Sequence, residues 1–212
     1  MPLAQNGEIR ELKKLILNIH TQSKKEWDRI QDSKKIQKME NLQLILFQNI
    51  TISHLKKILD ENPLKLQKKY RIFLPPLDDE QDFLPLFTFE CNYSAKKYSY
   101  KFCLDLVKEN PKNPKILSLR FEIEKSNGTT GDHDYLHVQI NNRIDDLNDT
   151  YELDWLPDHH PHLLIHSENN KNSPVVLIIY LLGCLYGFKT FTKNVLGGIH
   201  PSFINDFKEY YE

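Results

Sequence analysis

Six of the nine histidines lie between residues 133 and 166, and they are the side chains of this chain best suited to chemistry. They fall in the strings GDHDYLHVQI and WLPDHHPHLLIH, as His133, His137, His159, His160, His162 and His166. Imidazole titrates near neutral pH and is the commonest metal ligand in proteins. The cluster therefore indicates proton transfer, metal binding or phosphate contact, although its spacing matches no known metal or catalytic signature.

A metal site would need ligands from separate segments of the chain. On a strand, His133 and His137 would lie roughly 13 Å apart, at about 3.3 Å per residue, which is too far for one ion. We therefore consider His137, His162 and an aspartate, Asp158 or Asp132, as ligands of a divalent transition metal. The alternative is that DHHPH forms a polar turn whose histidines face water. The sequence indicates no other cofactor.

Besides two shorter candidates near 151–156 and 162–166, period-two alternation of apolar and polar residues predicts three strands, at 98–106, 115–124 and 135–141. The first of the three should be buried on one face only, with Asp105 on its polar side. The polar loop KSNGTTGDHD joins the last two, so we expect a hairpin with a long tip. Centring the pairing on that loop gives these opposite positions: Phe121 and Val138, Ile123 and Leu136, Glu122 and His137, Arg120 and Gln139. Arg120, Glu122, His137 and Gln139 should then share one face of the sheet.

This pairing predicts a catalytic group on the polar face of the hairpin. A carboxylate beside an imidazole raises the pKa of the imidazole and fixes its tautomer, which prepares it for acid–base catalysis. Arg120 could hold a phosphate or carboxylate in two hydrogen bonds. The candidate catalytic residues are therefore His137, Glu122, Arg120 and His133. The alternative is that Glu122 and His137 form a stabilising polar pair on a solvated face.

The net charge of −1 hides a division of the chain into a basic and an acidic part. Residues 1–71 hold 15 basic and 8 acidic side chains, whereas residues 72–212 hold 13 basic and 21 acidic ones. We therefore expect a basic helical region at 1–71 and an acidic α+β domain at 72–212. The basic helices could contact nucleic acid, dock on the acidic part or a protein partner, or simply present solvated lysines.

The remaining patterns favour an α+β fold: N-terminal helices packed with an antiparallel sheet of four to six strands, covered by a C-terminal buried helix. Ile9, Leu12, Ile16 and Ile19 form an apolar helical stripe. Ser173 and Pro174 begin an uncharged helix at 174–188, which is too short for a membrane span of about 20 residues. Three cysteines without a CxxC pair, and no signal peptide, predict a cytoplasmic protein without membrane contact.

Signatures of several enzyme classes are missing from the chain. It contains no glycine-rich phosphate loop, no HExxH, no nucleophile elbow and no CxxC pair. Nucleotide hydrolysis of the P-loop type, zincin proteolysis and serine-hydrolase acylation therefore have no support.

The segment LRFEIEKSNGTTGDHDYLHVQI, followed by DHHPHLLIH, resembles a loose class of small bacterial proteins. Members combine a strand bearing an Arg–aromatic–acid triplet, here Arg120, Phe121 and Glu122, with a following His-rich strand. The class is associated with toxin–antitoxin, mobile-element and phage-defence loci. The resemblance covers about 50 residues. It implies an accessory or interaction component of such an assembly, in contact with protein or nucleic acid. The alternative is a small histidine-dependent nuclease or phosphoryl-transfer enzyme.

Overall fold

A computed structural model of the protein describes residues 3–46, 53, 70–77, 84–93, 98–109, 116–126, 136–141, 173–205 and 207. These residues form helices and an antiparallel sheet, so the predicted α+β class is confirmed. The chain divides into two compact units, one of residues 1–26 and 166–212 and one of residues 27–165. The predicted division at residues 71 and 72 rests on charge and stays a prediction.

Two helices begin the chain, α1 (Leu3–Arg29) and α2 (Ser33–Leu46). The predicted apolar stripe of α1 is buried at Leu12, Ile16 and Ile19, because helical spacing places these residues on one face. The second helix begins at Ser33, directly after Asp32. Asp32 explains this start, since its carboxylate accepts hydrogen bonds from the backbone N–H groups of Lys34 and Lys35, 2.9 and 3.3 Å away.

The sheet runs in the order β1 (Tyr70–Phe73), β2 (Leu84–Tyr93), β3 (Tyr98–Glu109), β4 (Ile116–Ser126) and β5 (Leu136–Asn141). Each strand pairs antiparallel with its neighbour in the chain, so the sheet is a meander. The strands β1 and β2 were not among the three predicted ones. The shorter candidate strands near 151–156 and 162–166 lie outside the described residues.

The register divides the sheet into two faces. The apolar face carries Ile72, Phe87 and Leu104, which are directly paired across β1, β2 and β3 and are all buried. The opposite face, here called the mixed face, carries Arg71, Thr88 and Asp105. Since opposite residues of paired strands share a face, this assignment follows from the backbone pairing alone.

Part of the mixed face is buried, which corrects the expectation that β3 is buried on one face only. Trp27 of α1 packs with four apolar residues of this face, which are Phe73, Leu84, Leu86 and Val107, while Ile30 and Met39 pack against the same cluster. Apolar and polar residues do alternate along β3, but residues from the helices cover part of the mixed face. As a result Asp105 is only 1% exposed.

The last part of the chain forms α3 (Pro174–Tyr186), α4 (Thr190–Val195) and a 3-10 helix (Pro201–Phe203). Ser173 and Pro174 occupy the expected first positions of α3, although the Ser173 hydroxyl makes no capping hydrogen bond. Among the described residues, none of the helices is both long enough and apolar enough to span a bilayer. Whether residues 174–188 cover the sheet stays a prediction, as α3 and the sheet belong to different compact units.

Candidate functional site

The hairpin of β4 and β5 has the register that the sequence predicts. Glu122 pairs with His137, Arg120 with Gln139, and Phe121 with Val138. The apolar parity of the two strands excludes a slip by one residue, because such a slip would exchange the two faces, but it does not by itself set the exact register. The catalytic roles of Arg120, Glu122 and His137 stay predictions. His133 lies outside the described residues.

The pairing of Glu122 with His137 continues across the whole sheet. Cys103 lies opposite Glu122 on β3, Thr88 lies opposite Cys103 on β2, and Arg71 lies opposite Thr88 on β1. We call these five positions (Arg71, Thr88, Cys103, Glu122 and His137) the polar row. It holds a cationic, a hydroxyl, a thiol, an acidic and an imidazole residue, one from each strand.

A second row of the mixed face runs beside the polar row, two residues along each strand. It contains Phe73, Leu86, Asp105, Arg120 and Gln139 in the order of the strands. Phe73 and Leu86 are buried in the cluster around Trp27. The row therefore changes from apolar on β1 and β2 to charged on β3 and β4, with the buried Asp105 directly opposite Arg120.

Two of these polar residues have described, buried side chains. Asp105 is 1% exposed and Thr88 is 8% exposed. The Thr88 hydroxyl has no hydrogen-bond partner among the described residues. Buried polar groups usually have partners, so an unsatisfied hydroxyl in the polar row is a feature that a bound ligand could use.

The sequence reasoning missed three residues of these rows. Arg71 and Thr88 were missed because β1 and β2 were not predicted as strands. Asp105 was placed on the polar side of β3, but its burial depends on Trp27, which lies far away in sequence. The alternation of Phe87 and Phe89 with Thr88 and Glu90 was the signal that could have identified β2.

The metal prediction is not tested by the described part of the chain. His162 and Asp158 lie outside it, as do His159, His160 and His166, whereas His137 lies on β5. No group of three or more His, Cys, Asp and Glu residues in the described ranges is arranged to hold a metal ion.

Two other histidines have described side chains. Burial and then the charge of Lys24 lower the pKa of His20, and His200 caps the 3-10 helix through Nδ1.

A separate polar group on α1 fixes the chain near residues 195–200. Glu11, 1% exposed, accepts hydrogen bonds from the backbone N–H of His200 at 2.9 Å and from Lys14 Nζ at 3.1 Å. Lys14 Nζ also donates to the carbonyl oxygen of Gly198. The Asn18 amide donates to the carbonyl oxygens of Val195 and Gly197, at 2.8 and 2.9 Å. Because the partners in residues 195–200 are all backbone groups, we assign this group a structural role.

The basic N-terminal helices present charge to solvent. Lys24, Lys25, Arg29 and Lys34 are all exposed. Between residues 24 and 38 the sequence holds six basic and three acidic residues. These residues lie near the end of α1 and in the first half of α2.

Comparisons with protein-family models, with curated proteins and with solved structures find no match to this chain.

Proposed function

We propose that the protein is an accessory component of a bacterial phage-defence or toxin–antitoxin assembly that contacts nucleic acid through its N-terminal helices. The observation that carries the nucleic-acid contact is the basic segment, defined as the exposed residues Lys24, Lys25, Arg29 and Lys34. Exposed lysine and arginine side chains bind phosphates and release counterions, without needing a base-reading motif. The assignment to a defence or toxin–antitoxin assembly rests on the sequence resemblance of residues around Arg120 and His137.

In this proposal an antiparallel sheet of four to six strands serves as the platform, and residues 174–188 form a buried helix. The proposal also keeps the cytoplasm as the site of action, where a basic segment would meet nucleic acid.

The test is fluorescence anisotropy with labelled single-stranded RNA and duplex DNA at several salt concentrations. The variant Lys24→Glu/Lys25→Glu should bind at least about tenfold more weakly at low salt, and its logarithmic salt slope should be smaller by about 2. Lys189→Glu/Lys193→Glu is the matched control, since it makes the same change of charge elsewhere and should bind like the wild type. Equal losses in both variants would contradict a specific role of the basic segment. If the wild type retains neither nucleic acid at low salt, a protein partner becomes the better candidate.

A second candidate function, a histidine-dependent nuclease or phosphoryl-transfer activity, is favoured by the pairing of Glu122 with His137 and by the position of Arg120. In this function His137 exchanges a proton with the substrate, Glu122 orients the imidazole, and Arg120 holds the phosphate. The two rows provide these three residue types on adjacent strand positions.

This candidate is tested by hydrolysis of labelled RNA and DNA, with and without added divalent metal. His137→Ala should lower the rate by about 10²-fold or more, the contribution typical of a general acid or base. Gln139→Ala, two residues along the same strand and face, is the control and should retain activity. Hydrolysis that persists unchanged in His137→Ala would remove this site from consideration.

A further inference from the structure

Asp105 is a buried carboxylate whose surroundings are defined by the sheet register. Its side chain is 1% exposed, and the residue opposite it on β2 is Leu86, a member of the apolar cluster around Trp27. A carboxylate in such a place is unfavourable as an anion unless a cation or several donors compensate its charge. The question is which residue supplies that compensation.

The register identifies the neighbours of Asp105 on the mixed face. Its neighbours along and across the strands are Leu84, Leu86, Thr88, Cys103, Val107, Ser118, Arg120 and Glu122. Among these eight positions, all of them within the described strands, Arg120 is the one cationic residue. It is also directly opposite Asp105 rather than diagonal to it.

We propose that Arg120 compensates the charge of Asp105, and that Asp105 is in turn the positioning residue for Arg120. This inference rests on the second candidate function, because it assigns the group that would hold Arg120 in place for a phosphate. A guanidinium has five N–H donors, so it can satisfy a carboxylate and still donate to an anionic ligand. The acid–base pair of Glu122 and His137 lies in the adjacent row, next to Arg120.

The charge pair itself is tested without any ligand, by a double-mutant cycle on the full chain. Asp105→Asn and Arg120→Gln should each lower the urea midpoint of unfolding, and the double variant should lose no more than the worse single variant. Arg71, two strands away on β1, provides the control cycle. Asp105→Asn and Arg71→Gln should be additive. The proposal would be overturned if the effects of Asp105→Asn and Arg120→Gln were additive, or if Asp105→Asn were coupled to Arg71→Gln instead.

The positioning role is tested by titrating inorganic phosphate and following the amide resonances of β4 and β5. Asp105→Asn should raise the dissociation constant for phosphate at least about tenfold, and Asp105→Glu, which keeps the carboxylate, should restore part of the affinity. A role limited to stability would leave the phosphate affinity of the folded Asp105→Asn variant unchanged, and that result would overturn the positioning role. If the wild type shows coupling but no phosphate binding, the pair stands and the anion-holding role of Arg120 fails with the second candidate function.

Discussion

The indole nitrogen of Trp27 lies 3.2 Å from the carbonyl oxygen of Phe73, at the last residue of β1. The same N–H group lies 3.2 Å from the carbonyl oxygen of Leu74, so one donor serves two backbone acceptors at the end of the strand. The ring also packs in the cluster with Leu84, Leu86 and Val107. Trp27 therefore links the end of α1 to the first three strands, and it covers the part of the mixed face next to Asp105.

Two substitutions of Trp27 should distinguish the energetic contribution of its hydrogen bonds from that of its packing. Trp27→Phe keeps an aromatic ring but removes the donor, and we expect a loss of about 1–2 kcal/mol in the free energy of unfolding. Trp27→Ala also removes the buried ring and should cost about 3–5 kcal/mol. Urea denaturation followed by far-UV circular dichroism measures both values.

Tyr180→Phe is the control for this series, since Tyr180 is 49% exposed and its hydroxyl should contribute less than about 0.5 kcal/mol. A Trp27→Phe variant as stable as the wild type would show that the two carbonyl oxygens gain nothing from the indole donor.

The hairpin that carries Glu122 and His137 could be predicted from sequence because its two determinants are local. Apolar alternation fixes which residues face the same way, and the position of the connecting loop fixes the offset between the strands. Centring the pairing on the loop gives Glu122 opposite His137, and the structure has this register. Parity alone would also allow a slip by two residues.

The burial of Asp105 could not be predicted in the same way. Its environment depends on Trp27, which comes from a helix at the other end of the unit, and sequence alternation contains no record of that contact. The strand β2 was missed for a related reason, because Pro85 and the nearby prolines and acidic residues resemble a linker. The first residue of α2 could have been predicted from the sequence, because Asp32 precedes the helix and is a typical N-cap residue.

The amide of Asn18 should be required as a donor, because it contacts two carbonyl oxygens and accepts nothing in these contacts. Asn18→Asp has nearly the same shape but places a carboxylate against the oxygens of Val195 and Gly197. We expect it to cost about 2–3 kcal/mol, more than the roughly 1–2 kcal/mol expected for Asn18→Ala. Thermal or urea unfolding of the two variants gives the comparison. If Asn18→Asp is the more stable of the two, these hydrogen bonds do not determine the role of Asn18.

The buried carboxylate of Glu11 should make unfolding depend on pH. Burial by itself raises the pKa of Glu11, but the hydrogen bonds from the His200 N–H and Lys14, with the charge of Lys14, bring that pKa below its ordinary value of 4.5. A carboxyl whose pKa is lower in the folded than in the unfolded state stabilises the protein when the pH is above the pKa of the unfolded state. This contribution is lost as the pH falls through the pKa of the folded state.

Glu11→Gln should therefore cost about 1–3 kcal/mol near pH 7, and the difference from the wild type should shrink as the pH falls below 4.5. Urea unfolding from pH 3 to pH 7 measures this dependence. Glu8→Gln, at a partly exposed position three residues earlier on α1, is the control and should show little difference at any pH. A constant difference between wild type and Glu11→Gln across this range would mean that the charge of Glu11 is not what stabilises the contact.

Gly183 lies where a side chain would collide with an aromatic ring. A Cβ atom at this position would come within 2.5 Å of Phe188 Cζ and 2.7 Å of Phe188 Cε2. The ring of Phe188 also contacts that of Phe207, with centroids 5.5 Å apart, so it has a neighbour that limits its movement. Although alanine favours helices more than glycine does, we expect Gly183→Ala to destabilise the protein by about 1–3 kcal/mol through overpacking.

Gly7 provides a matched control with the opposite expected sign. It also lies within a helix, α1, and a Cβ built there meets no atom within 4 Å. Gly7→Ala should therefore stabilise the protein by up to about 1 kcal/mol, which is the difference in helix propensity alone. The variant Gly183→Ala/Phe188→Leu completes the test, because a smaller side chain at 188 should recover part of the loss. If Gly183→Ala stabilises the protein as Gly7→Ala does, the contact between Gly183 and Phe188 does not limit the packing of α3.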